Sequence, residues 1–264
     1  MQSELTMNAI RAALGKVVFI MAIVTACPAI ALAQGDEIQV YDGGLADPGV
    51  FNLTWHNNYT FSGAKAPEFP GAYAANHALN GVTEWAYGVN KWWEVGLYLP
   101  LYTVSESSTR MNGFKLRTLF ATPNAGDRTF FYGLGIELSD NAKSWDQTRI
   151  TSEFRPIVGW HLGKVDVVFN PIIDTAYDGL DKLVFAPSTR IAYNASKEWA
   201  FAMEEYADFG LLNHFSKGSD QSHQLFGVVD FAGKSFEVQA GLGFGLTQAS
   251  DNTVFKLIVA HDFN

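Results

Sequence analysis

The chain has 264 residues, 48% of them hydrophobic and 17% charged, with 18 Lys+Arg against 27 Asp+Glu. That composition fits neither a disordered nor a fibrous protein, and a net charge of −9 offers no basic stripe for nucleic acid. Cys27 is the one cysteine, so no intrachain disulfide stabilises the fold.

Arg11 and Lys16 precede an apolar run from Val17 to Ala26, followed by Cys27, Pro28 and a small-residue ending at Ala31, Leu32 and Ala33. This is the n-region, h-region and A-x-A order of a secretory signal, and it predicts export with cleavage after Ala33. Val24 to Cys27 also resembles a lipoprotein cleavage box, but Pro28 directly after the cysteine favours the downstream site. The resulting plan is a signal peptide at 1–33, an N-terminal segment at 34–50 and the main domain at 51–264. The segment is polar and Gly-rich, with Asp36, Glu37, Asp42 and Asp47, and reads equally as a plug or as a disordered periplasmic stretch. Nothing after the signal approaches the roughly 18 consecutive apolar residues of a spanning helix. A membrane crossing has to be made by strands.

From Phe51 to Phe61 the odd residues are apolar except Asn57, while the even ones are Asn52, Thr54, His56, Asn58 and Thr60. A period of two over eleven residues predicts a tilted strand long enough to cross a hydrocarbon core. The pattern recurs in Trp93, Val95, Leu97, Leu99 and Leu101, in Phe114, Leu116 and Phe120, in Phe130 to Leu138, and in Phe236 to Leu246. Twelve such segments lie near 51–61, 77–88, 92–104, 113–122, 129–139, 149–160, 165–175, 183–193, 198–208, 221–231, 235–247 and 253–263. The second, ninth and tenth are weakly patterned, so ten or fourteen strands are the alternative counts.

Short links such as 89–91 and 232–234 alternate with longer ones such as 62–76 and 209–220, which is the plan of tight periplasmic turns and larger outer loops. Trp85, Tyr87, Trp92, Trp93, Trp160, Tyr193 and Trp199 flank the short links, as an interfacial aromatic girdle requires. The last strand ends at Phe263, one residue from the terminus, and resembles the signal read by the barrel-assembly machinery. The expected fold is all-β, a transmembrane antiparallel up-and-down barrel of about twelve strands. A soluble sandwich or lipocalin-like barrel shares the period, but strands of ten or more residues are long for soluble sheets.

With the apolar face toward lipid, the other face lines a lumen. Its acids are Glu84, Glu94, Glu137, Glu153, Asp166, Asp174, Glu204 and Glu237, and its bases Lys115, Arg117, Arg155, Arg190 and Lys256. Tyr98, Tyr102, Phe131, Tyr206 and Phe226 are the expected lumen aromatics, with Phe209, Leu211, Leu212 and Phe215 in a long outer loop. A barrel of this size falls between side-chain-filled barrels and wide aqueous porins, which excludes bulk diffusion of large solutes. Hydrolytic chemistry would need a histidine beside a nucleophile near the outer leaflet, and His56, His77 and the pair Ser222 and His223 are the candidates. No Gly-x-Ser-x-Gly elbow and no His-Glu-x-x-His set occurs, so neither catalysis, a metal nor a cofactor is expected.

The stretch Asn57 to Gly63, the Asn76-His77-Ala78-Leu79-Asn80-Gly81 run, the Glu84 to Tyr98 hairpin around Trp92 and Trp93, and Glu204-Glu205-Tyr206 resemble a proteobacterial outer-membrane family. That family is described as the outer-membrane component of the meta-pathway of phenol degradation. The resemblance implies a barrel that passes aromatic or other hydrophobic compounds and assigns no site residues. The leading expectation is a monomeric channel in the outer membrane of a Gram-negative bacterium, with outer-membrane lipid and a small-molecule solute as partners. A plugged structural barrel is the alternative and a lipid hydrolase the second.

Overall fold

A ribbon with one apolar and one polar face has to present each to a different medium, and its edges carry unpaired backbone groups until they find partners. In the computed structural model, which describes residues 35–106 and 108–263, the edges find each other and the sheet closes as a barrel. The signal peptide, Cys27 and the Ala33 cleavage site lie outside the described residues.

Twelve strands make the wall: β1 (Phe51–Ser62), β2 (Leu79–Asn90), β3 (Trp93–Val104), β4 (Thr109–Ala121), β5 (Phe130–Asn141), β6 (Ile150–Leu162), β7 (Val165–Asn170 with Ile173–Thr175), β8 (Val184–Phe185 with Ser188–Asn194), β9 (Trp199–Asp208 with Gly210–Leu211), β10 (His214–Phe215 with Ser222–Ala232), β11 (Glu237–Gly245) and β12 (Thr253–Phe263). Neighbours in the chain pair antiparallel, and β12 closes onto β1 from Phe51↔Phe263 to Thr60↔Val254. The expected twelve-stranded up-and-down barrel is borne out. The breaks in β7 and β8 fall at Pro171 and Pro187, which have no N–H for the ladder, and β9 bends at Gly210, whose φ is 77°. Among the described residues no helix is long and apolar enough to cross a membrane.

The outer surface of this wall is apolar. Phe51, Trp55, Phe61, Leu116, Tyr132, Ile191, Phe201, Met203, Leu242 and Phe244 are all exposed. At the end with the short turns, aromatics gather in separate clusters that form a belt. Trp92, Trp93 and Phe120 stack, Phe130 packs on Trp160, Trp199 on Phe231, and Phe51 on Tyr87. The inner face is polar and buried, with His56, Glu84, Arg155, Glu204 and Lys256 among its least accessible side chains. Arg and Lys facing hydrocarbon cost roughly 2–4 kcal/mol each at mid-depth, and acids somewhat less, which explains why charges gather on the inner face.

One irregularity reverses an expectation from the sequence. The β3 register shifts between Tyr98 and Leu101, around Leu99-Pro100, and the inward and outward positions exchange beyond it. Leu101, expected outside, is 1% exposed within the barrel beside Val82 and Tyr98. Tyr102, expected in the lumen, lies instead on the outer face over Gly81, where a Cβ would meet its ring at 2.4 Å. Its hydroxyl donates to Asn57 Oδ1 at 2.8 Å and accepts from Trp55 Nε1 at 3.0 Å. The Oδ1 of Asn57, the polar residue that interrupts the apolar face of β1, is thereby covered and partnered, while its Nδ2 is buried without a hydrogen-bond partner.

Candidate functional site

Residues 36–41 lie largely buried inside the barrel, and the chain then runs to the short-turn end, where Gly49 N–H bonds to Gly88 C=O before β1 begins. An extended peptide inside a barrel has no strand beside it, so its backbone groups need side-chain partners. Asn170 on β7 accepts from Tyr41 N–H at 2.8 Å and donates to Tyr41 C=O at 3.0 Å. Asn58 on β1 donates to the Asp36 carbonyl at 3.0 Å, Arg155 on β6 to that of Gln39 at 2.9 Å, and Lys256 on β12 to that of Ile38 at 3.1 Å. Ile38, Val40 and Tyr41 pack against Leu119, Phe131, Ile157, Val168 and Phe226 on the wall. The segment thus touches most sectors of the barrel, through polar contacts as well as apolar ones.

Around it lie two charged clusters. In the first, Arg117 contacts Glu84 and Glu94, Lys115 contacts Asp36 at 2.8 Å and Glu137 at 3.5 Å, and Arg155 is bidentate on Glu153. Tyr41 sits among them, its ring 4.2 Å from the Arg155 guanidinium and its hydroxyl 2.7 Å from that of Tyr98 and 3.0 Å from Glu137. In the second, Lys256 and Arg190 both contact Glu204, Arg190 also reaches Asp230, and the Tyr206 hydroxyl donates to Glu204 at 2.6 Å.

Of the lumen residues expected from sequence, Glu84, Glu94, Lys115, Arg117, Glu137, Glu153, Arg155, Arg190, Glu204 and Lys256 are buried inside, as are Tyr98, Phe131, Tyr206 and Phe226. Asp174 faces Glu153 across the β6 and β7 pairing, half-buried. Asp166 lies at the short-turn rim, bonded to His161 and Asn194 at 2.7 Å each, and Glu237 is exposed at the same end, not within the lumen. Tyr102 is the outward exception. Sequence reasoning missed Asn170 and Tyr41, because a side chain standing in for a strand leaves no periodic mark. It also weighed His56 only as a catalytic candidate, although its even position on β1 already placed it inside.

The structure does not assemble a hydrolytic pair from the histidines considered. His223 has Nδ1 on Glu205 at 3.1 Å and Nε2 on Gln221 at 3.0 Å, while the Ser222 hydroxyl lies 3.3 Å from that of Ser250. His77 neighbours the Tyr59 hydroxyl at 3.5 Å. His56 is fully buried, and its Nε2 lies 3.4 Å from Glu84 Oε2. Among the described residues, one ligand atom each from Glu37, His56 and Glu84 fall within 4.8 Å of one another. Phe209 and Phe215 of the expected outer loop pack with Phe185. At the long-loop end, Tyr73 donates to Asn80 at 2.8 Å and packs against the buried Trp145, so the loops at 63–78 and 142–149 meet there.

No family model and no curated protein sequence matches this chain. Solved structures with a similar fold include an outer membrane channel from Pseudomonas putida F1, with 12% identity, 86% of this chain and 100% of that chain covered, and a TM-score of 0.57. The KdgM porin aligns with 9% identity over 81% of this chain and 99% of its own, at a TM-score of 0.53. The NanC porin aligns with 9% identity over the same shares, 81% and 99%, at 0.51. At these identities the likeness concerns the fold.

Proposed function

We propose that this chain is a channel of the bacterial outer membrane for small solutes, closed in this structure by its own residues 35–46. The observation that carries the reading is the way the segment is held. Wall side chains grip its backbone at Asp36, Ile38, Gln39 and Tyr41 through hydrogen bonds that water can replace when the segment withdraws. A barrel filled only for strength gains nothing from buried ion pairs, since well-packed apolar residues of similar volume stabilise as well or better. A charged interior closed by a separable peptide suits a path that opens.

The apolar exterior and the aromatic belt support a lipid setting, and the fold shared with an outer membrane channel and two porins supports the outer membrane as its place. An export signal cleaved after Ala33 belongs to the same reading, as does recognition of β12 and its exposed Phe263 by the assembly machinery. The solute is small and amphipathic, aromatic compounds fitting best. Tyr98, Phe131, Tyr206 and Phe226 line the interior beside the charges, and the sequence resemblance points the same way. The histidine geometry favours transport over hydrolysis.

The test is flux through liposomes reconstituted with the whole barrel and with a variant lacking residues 36–46, using monovalent ions and simple phenols as probes. Removing the segment should raise flux at least tenfold. No flux of either probe through the shortened form would reject the channel and favour a structural barrel.

A further inference from the structure

We propose that Glu37, His56 and Glu84 form a binding site for one divalent cation of the zinc class, which clips the N-terminal segment to the barrel wall. The three residues come from separate elements, the segment, β1 and β2, and converge with one ligand atom each within 4.8 Å. Glu37 is 2% exposed, and neither of its carboxylate oxygens accepts a hydrogen bond from any protein donor. An unpartnered carboxylate in a dry interior is among the most costly arrangements a fold can hold. Here it is aimed at an imidazole and a second carboxylate.

The spacing of His56 and Glu84 suits a shared metal better than a strong hydrogen bond. His56 Nε2 and Glu84 Oε2 stand 3.4 Å apart, long for a charge-assisted bond. Two ligands at about 2.1 Å on a tetrahedral ion are separated by roughly 3.4 Å. Arg117 holds the other oxygen of Glu84 at 2.5 Å, as outer-shell partners commonly hold ligating carboxylates. An imidazole with two carboxylates selects zinc and its first-row neighbours over magnesium or calcium, which prefer all-oxygen sets.

Charge balance points the same way. The first cluster buries six carboxylates, Asp36, Glu37, Glu84, Glu94, Glu137 and Glu153, against three cations, Lys115, Arg117 and Arg155. The second cluster, on the same inner wall, matches Glu204 and Asp230 with Arg190 and Lys256, and each of its carboxylate oxygens has a partner. The negative surplus therefore sits where the three candidate ligands meet. A divalent cation there would offset most of it and tie the segment to β1 and β2.

The test uses untagged, detergent-purified barrel, stripped with a chelator, dialysed and titrated with zinc against a chromophoric competitor. One zinc per chain should bind at least tenfold tighter than in Glu37→Gln and His56→Asn, with magnesium in hundredfold excess not competing. Glu37 lies outside the wall, so E37Q should keep the heat-dependent gel shift of a closed barrel even where H56N does not. His223→Ala, which alters a half-buried histidine on β10, should leave affinity unchanged. Equal affinity in wild type and E37Q, or loss of binding in H223A, would overturn the proposal. Because the readout is metal affinity, it stands or falls separately from the channel reading.

Discussion

Asn170 pairs with Tyr41 as a neighbouring strand would, one side-chain amide serving both the N–H and the C=O of a single residue. This hold takes both backbone groups of one segment residue, and it is made entirely by one wall residue. Asn170→Ala should leave both buried groups of Tyr41 without partners, at a cost of about 1–3 kcal/mol. Amide exchange in a peptide covering 35–46 should accelerate about tenfold or more, with strand peptides unchanged. Asn170→Asp should loosen it as well, since a carboxylate accepts from the N–H but cannot donate to the carbonyl. Unchanged exchange in both variants would mean that the segment is held by other contacts.

If withdrawal of the segment opens the lumen, a covalent lock should keep it shut. A Cβ at Gly43 would lie 3.3 Å from that of Ala125 in the β4 to β5 turn, close to the separation that a disulfide spans. Gly43 has φ of 79°, so Gly43→Cys carries a strain of about 1–2 kcal/mol, small against the closed barrel. In a Cys27→Ser background no other thiol competes. The oxidised Gly43→Cys/Ala125→Cys double variant should show no flux, and reductant should restore it; flux that ignores the redox state would argue against gating by this segment.

The wall was legible in the sequence because period-two alternation is a local signal, repeated through β1, β5 and β11, and because lipid outside and charge inside force it. Where the chain departs from that period the signal fails. At Leu99-Pro100 the missing proline N–H lets the ladder slip, so Tyr102 and Leu101 exchange faces without any mark in their own identity. The contents of the lumen were less legible. Asp36 and Glu37 are visible as acids, but pairing Asp36 with Lys115, 79 positions away, depends on where a strandless segment lies. Glu37, His56 and Glu84 likewise share no spacing motif, since their convergence is made by barrel curvature and the path of the segment.

The balanced cluster predicts a strong dependence between its members. Lys256 is fully buried and contacts Glu204, Gln239 and the Ile38 carbonyl. Lys256→Met should cost about 3–5 kcal/mol, because it leaves Glu204 and Asp230 sharing one cation, Arg190, inside the barrel. Adding Glu204→Gln should recover more than half of that loss by removing the surplus charge. Urea midpoints for the two single variants and the double in the same detergent give the coupling directly. Additive losses would show that the pair does not act as a unit.

On the lipid face, the hydroxyl of Tyr102 satisfies the Oδ1 of Asn57 where water is scarce, and its removal should be felt more than that of an ordinary surface hydroxyl. Tyr102→Phe keeps the ring over Gly81 and deletes only the donor to Asn57 Oδ1 and the acceptor for Trp55 Nε1. The expected loss is about 1–3 kcal/mol, measured by tryptophan fluorescence during urea titration in lipid vesicles. Asn57→Leu alone should lose less, since it removes the polar group that needed covering. With both changes the face of β1 becomes uniformly apolar, and stability should return close to that of Asn57→Leu. If Tyr102→Phe is as stable as the parent, the hydroxyl contributes nothing there, and packing on Gly81 alone holds the ring outside.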